Sequence, residues 1–161
     1  MQMFTSSSDK NRKQPKIYEI FIIDNFGKLL FYEDLMNSGV KVKEKEFKNR
    51  VKNVFGIAHA LRALIQEINR SDQKIFSFNN FTTNQYKYNL YEIKNSGLKF
   101  ILLTSVTEFD FTPILDKIYT EIYHNCCIRN ILYKVGEPID NPKFKQEIRG
   151  VIKDYYSRGK K

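Results

Sequence analysis

The chain has 161 residues, of which 42% are hydrophobic and 14% aromatic, and it carries a formal charge of +9 at pH 7. That length suits one domain with a proper core and leaves little room for a second. The apolar content excludes a disordered chain, and no apolar run approaches the ~20 residues that cross a bilayer.

Residues 1–15 are polar, end in Pro15, and form an expected flexible basic arm without the apolar stretch of a signal peptide. Lys10, Arg12, Lys13 and Lys16 against Asp9 give that end +3; Lys153, Arg158, Lys160 and Lys161 against Asp154 give the far end another +3. Only +3 is left for the body, so the basic character is mostly that of solvated ends. Residues 157–161 form a basic tail, and 16–156 are read as a single domain.

"KIYEIFII" (16–23) is β-branched and aromatic, as a buried strand requires, and "DNFG" (24–27) turns it into a partner strand "KLLFYE" (28–33). From about Glu44 to Ile68 the period becomes helical, with Phe47, Val51, Val54, Ala58, Leu61, Ile65 and Ile68 at spacings of three and four. "KIFSFNNF" (74–81), "QYKYNLYEI" (85–93) and "LKFILLTS" (98–105) read as a meander. Thr112-Pro113 and Asn141-Pro142 are cap-then-proline helix starts. Leu115, Ile118, Ile122 and Cys126 mark the buried stripe of the first of these helices; Phe144, Ile148, Ile152 and Tyr155 mark that of the second.

The order β-β-α-β-β-β-α-α, with "FILL" (100–103) apolar on both sides, predicts an α/β domain of the α+β kind. It has one five-stranded, mainly antiparallel sheet, with one helix on one face and two on the other. Tyr86, Tyr88 and Leu90 should then face one way and Tyr91 and Ile93 the other.

Chemistry is scarce. His59 and His124 lie inside helices, Cys126 and Cys127 are adjacent and point apart, and Asp24 and Asp110 read as turn or cap residues. No metal-ligand spacing or phosphate-binding glycine loop occurs. We therefore expect no catalytic residue, no metal and no cofactor, and a reducing, cytosolic setting. Aromatics beside Lys87 and Lys99 raise single-stranded nucleic acid as a ligand, but two-sided aromatics on a sheet are more often core, so no nucleic acid is expected.

One helix face is out of place. Opposite the stripe of the 44–68 helix stand Lys45, Lys48, Asn49 and Lys52, but then Gly56, Ala60 and Ala63, flanked by Ile57 and Leu64. A glycine there costs ~1 kcal/mol against alanine. Either it is tolerated within a wide apolar stripe, or Gly56, Ile57, Ala60, Ala63 and Leu64 form a face that lets a partner backbone approach.

Three stretches carry a family resemblance. "IYEIFIIDNFG" (17–27) is one, and "KIYTEIYHNCCIRNIL" with Tyr119, Tyr123, Asn130 and Leu132 is another. The third fits F-x-T-x-x-Y-K-x-x-x-Y-E-x-x-x-x-G-x-K at Phe81, Thr83, Tyr86, Lys87, Tyr91, Glu92, Gly97 and Lys99. Over roughly 16–156 the chain resembles the small sybindin-like (longin-fold) subunits of the TRAPP vesicle-tethering complex, nearest to the subunit-one branch. Phe55-Gly56 also matches, whereas Ile131 stands where a proline is usual. The resemblance implies a longin/profilin-like fold and a non-catalytic subunit of a tether in ER-to-Golgi transport. It implies other TRAPP subunits as partners, a Rab-type GTPase met through the assembled complex during nucleotide exchange, and a cytoplasmic location peripheral to Golgi and endoplasmic reticulum membranes. The alternative is the small chain of a clathrin-adaptor or coat complex; a longin-domain SNARE is disfavoured by the lack of a heptad segment or anchor after residue 157.

Overall fold

The computed structural model describes residues 13–71 and 79–159. The strands are β1 (Ile17–Ile23), β2 (Leu29–Asp34), β3 (Asn80–Thr82), β4 (Tyr86–Glu92) and β5 (Lys99–Ser105). The helices are α1 (Glu44–Ser71), α2 (Thr112–Lys117) and α3 (Pro142–Arg158). The five strands form one sheet in the order β2-β1-β5-β4-β3, every neighbouring pair antiparallel. The hairpin β1–β2 and the meander β3–β4–β5 thus join through the β1–β5 pair, with α1 as the connection between them.

The sheet is covered on both sides, as the unbroken apolar runs of β1 and β5 require. On one face Phe21, Ile23, Leu90 and Ile101 meet Val51, Val54 and Ala58 of α1. On the other, Ile20, Ile22, Phe100 and Leu102 meet Leu115, Ile118, Ile122, Phe144 and Ile148. Tyr88 and Leu90 pack on the α1 side, and Tyr91 and Ile93 on the opposite side, the alternation expected of a strand.

Four details depart from the sequence reading. α1 runs to Ser71, past the expected end at Ile68. The strand expected over 74–81 is seen as Asn80–Thr82, its earlier part lying outside the described residues. Thr112 does not cap α2: it is already helical, and its amide donates to the Asp110 carboxylate at 2.9 Å. The helix expected after Thr112 is α-helical only to Lys117 and continues as a π-helix over Ile118–Ile128. The wider i→i+5 turn is seen in Arg129 N donating to His124 O at 2.9 Å. It buries Ile118, then Ile122 with Tyr123, then Cys126 with Cys127. Leu115, Ile118, Ile122 and Cys126 are all buried as expected, because a four-residue spacing serves either helix. Asn141 does cap α3, accepting from Lys143 N at 3.0 Å with Pro142 behind it.

Candidate partner interface

α1 has 28 residues, about 42 Å at 1.5 Å each. Polar clamps at two levels hold it to the sheet. Arg50 forms a forked pair with the Glu19 carboxylate of β1, and Tyr32 Oη donates to the same carboxylate at 2.9 Å. Burial, and the Glu19 carboxylate beside it, push the Tyr32 phenol well above its ordinary range. Further along, Arg62 pairs with Glu92 at the end of β4. These clamps fix the rotation of the helix, and so decide which residues face outward.

Gly56, Ile57, Ala60, Ala63 and Leu64 all face outward. Ile57 is 45% exposed and Leu64 55%. An added Cβ at Gly56 would meet nothing within 4 Å. The opposite side of the same helix carries Val51, Val54 and Ala58, all buried. Gly56 is therefore not in the core stripe: the helix presents bare backbone with an apolar flank to solvent. An apolar surface of small residues has chemistry suited to close packing against another protein.

The ionisable residues that sequence reasoning weighed for chemistry are accounted for by structure. Lys87 is buried and donates to Thr107 O and Phe109 O, both at 2.9 Å. Lys99 is fully buried, donates to Gly97 O at 2.9 Å and sits 5.3 Å above the Phe55 ring. Neither reaches a phosphate on the surface. Asp24 and Asp110 both brace turns: Asp24 Oδ1 accepts from Phe26 N and Lys28 N, and Asp110 Oδ1 accepts from Thr112 N, while the N-cap position of α2 itself is Phe111. His59 lies exposed on α1 and stacks on Phe55, while His124 is half-buried in the π-helix. Cys126 and Cys127 are free, buried thiols, the second pushed up to about 12 by burial. Among the described residues no group of three or more His, Cys, Asp or Glu could hold a metal.

Sequence reasoning missed the clamps, whose partners lie about thirty residues apart, and it missed a cluster at one end of the sheet. Ile131, Leu132 and Val135, which lie between the two helices that follow the sheet, are largely exposed. Their signal was there: apolar residues inside a polar segment, with no helical or strand period to give them a buried face.

The Sybindin-like family model matches residues 17–155. The "Trafficking protein particle complex subunit 1" of Dictyostelium discoideum is 29% identical over 142 residues, covering 85% of this chain and 94% of that protein. The protein of the same name in Homo sapiens is 22% identical over 140 residues, covering 85% and 92%. The "Trafficking protein particle complex subunit BET5" of Saccharomyces cerevisiae is 25% identical over 138 residues, 83% of each chain.

Proposed function

The chain belongs to the Sybindin-like family, and from that premise we propose that it is a non-catalytic structural subunit of the trafficking protein particle (TRAPP) complex. In this reading it works in ER-to-Golgi vesicle transport. It helps form the platform on which a Rab-type GTPase exchanges its nucleotide, and it stays on the cytoplasmic side, peripheral to Golgi and endoplasmic reticulum membranes. Its partners are the other subunits, and through the assembly the GTPase. The relatives named above, which it matches over most of their length, support the assembly.

The structural observation that carries this reading is the outer face of α1: Gly56, Ile57, Ala60, Ala63 and Leu64, exposed, small or apolar, and held outward by the Arg50 and Arg62 clamps. We assign another subunit of the complex to this face. Exchange on a GTPase needs a surface that favours the nucleotide-free state over the bound one; differential affinity then shifts the equilibrium without an acid or base. A rigid domain that positions its neighbours suffices.

The test is affinity purification of the tagged full chain from its own cells, beside the double variant Gly56→Glu with Ala60→Glu. The wild-type chain should bring down TRAPP subunits; the variant, folded by circular dichroism, should not. Adaptor or coat large chains in the wild-type eluate would move the chain to a coat complex. Full assembly of the variant would remove the α1 face from the reading.

A further inference from the structure

Three connections meet at one end of the sheet: the β1–β2 turn (24–28), the β4–β5 turn (93–98) and the segment 129–138 between the π-helix and α3. Lys28 Nζ donates to Gly136 O at 2.9 Å, which joins the first to the third. Gly97 lies against the Asn25 side chain, which joins the first to the second. Four large apolar side chains project from this end: Phe26 is 89% exposed, Ile131 99%, Leu132 91% and Val135 78%. They are held there. Asp24 Oδ1 fixes the turn that carries Phe26, and Leu132 N donates to Asn130 Oδ1 at 3.0 Å. Tyr133 turns inward against the core and donates to Glu137 O at 2.7 Å, so its neighbours point out.

Isolated surface hydrophobes are ordinary, but four on adjoining tips are not. Their surroundings say what would cover them. Lys28, Lys94, Arg129 and Lys134 stand exposed in the same three segments, against the carboxylates of Asp24, already engaged in its turn, and Glu137. Protein interfaces are depleted in lysine at their core and favour well-packed patches. Here the apolar groups stand exposed in connecting segments that also carry four exposed cations. That arrangement fits a fluid, anionic medium: the side chains enter the acyl boundary and the cations stay among acidic headgroups. No helix among the described residues is long and apolar enough to cross a membrane, so such contact is interfacial.

We infer that this end of the domain inserts Phe26, Ile131, Leu132 and Val135 into the surface of an anionic bilayer. The inference deepens the peripheral-membrane part of the function proposed above and rests on it, but it uses a surface distinct from the α1 face.

The chain has no tryptophan, so Ile131→Trp introduces a single reporter. With vesicles of phosphatidylcholine and phosphatidylserine its emission should shift to the blue and be quenched by brominated acyl chains; pure phosphatidylcholine should do this far less. Val106→Trp is the control, since Val106 is exposed just beyond β5 at the opposite end of the sheet. Phe26→Ser with Leu132→Ser should leave the melt unchanged yet lower vesicle partitioning by about tenfold per side chain. Lys134→Gln should lower it about fivefold. An indole at 131 that stays water-like while the protein floats with vesicles would assign the binding to the basic ends and overturn the inference. So would a shift seen only on adding another subunit, which would make this end a protein contact. Gly56→Glu with Ala60→Glu should keep the vesicle signal, so failure of the assembly reading and failure of this one are told apart.

Discussion

Gly56→Ala adds one methyl group at the N-terminal end of the proposed docking face and separates folding from function. Gly56 lies twelve residues inside α1, so its full helix-propensity penalty applies, about 0.8–1.0 kcal/mol relative to alanine. Beyond its chain neighbours and the adjoining helix backbone, no described atom lies within 4 Å of the new Cβ, so no clash offsets the gain. The isolated chain should therefore be stabilised by ~1 kcal/mol, a melting temperature about 2–4 °C higher for a domain of this size. At an interface that uses the missing side chain for close backbone approach, the same methyl overpacks. Overpacking costs about 1–3 kcal/mol, or roughly 5- to 150-fold in affinity. Calorimetric melts of the purified chain give the first quantity, and titration into the co-purified partner gives the second. Higher stability with undiminished affinity would mean that the glycine does not serve a close approach. Lower stability would mean that its surroundings are not open.

Gly97 has φ +69°, and an added Cβ would lie 2.7 Å from Asn25 Cγ and 2.9 Å from Asn25 Cβ. Gly97→Ala should cost about 2–3 kcal/mol by urea titration, part left-handed strain and part clash. Asn25→Gly should relieve only the clash, leaving the ~1–2 kcal/mol of strain. Arg149 of α3 pairs with the buried Glu33 of β2 and also donates to Asp34 O at 2.9 Å. Arg149→Met should cost about 2 kcal/mol, below the usual 3–5 because Lys145 remains 3.3 Å from the carboxylate; adding Glu33→Met should recover most of it. Burial holds the Lys99 ammonium below its ordinary range, so the unfolded chain binds the extra proton and this residue's contribution to stability improves as pH rises toward the usual lysine value. As the pH is raised toward that ordinary value, the urea midpoint of wild type should gain on that of Lys99→Met; a constant difference would refute the assignment.

The layers were legible because periodicity reports which sides of an element are covered. β5 is apolar at every position from Phe100 to Leu103, and that alone demanded helices on both faces. The face of α1 was legible for the converse reason: a glycine and two alanines opposite a full stripe have no use in water. The π-helix was not, since residues four apart satisfy either turn. The buried lysines were not, because alternation assigns a lysine to solvent unless its partner is known. The carbonyls that hold Lys87 belong to a loop about twenty residues away. The apolar end of the sheet was hidden in the same way: Phe26 and Ile131 are far apart in the chain, and contacts such as Lys28 Nζ to Gly136 O bring their segments together.

The two proposed surfaces are mechanically linked. Gly27 has φ +87°, and a Cβ there would meet the Phe55 ring at 3.1–3.4 Å, so the turn that carries Phe26 rests on the helical turn that carries Gly56. The ring in turn covers the Lys99 ammonium, which is bonded into the β4–β5 turn. Helix α1 and two of the three converging segments therefore share one packed contact, and interiors of this density do not deform gradually. A neighbouring subunit seated on Gly56 and a bilayer met by Phe26 would be held at a fixed angle to each other. On the two proposals together, such a domain would set the orientation of an assembly on a membrane through its packing alone. Its buried ionisable groups fit that role: among the described residues no buried side-chain nitrogen or oxygen lacks a partner, so Lys87, Lys99 and Glu33 are spent on holding the frame rigid.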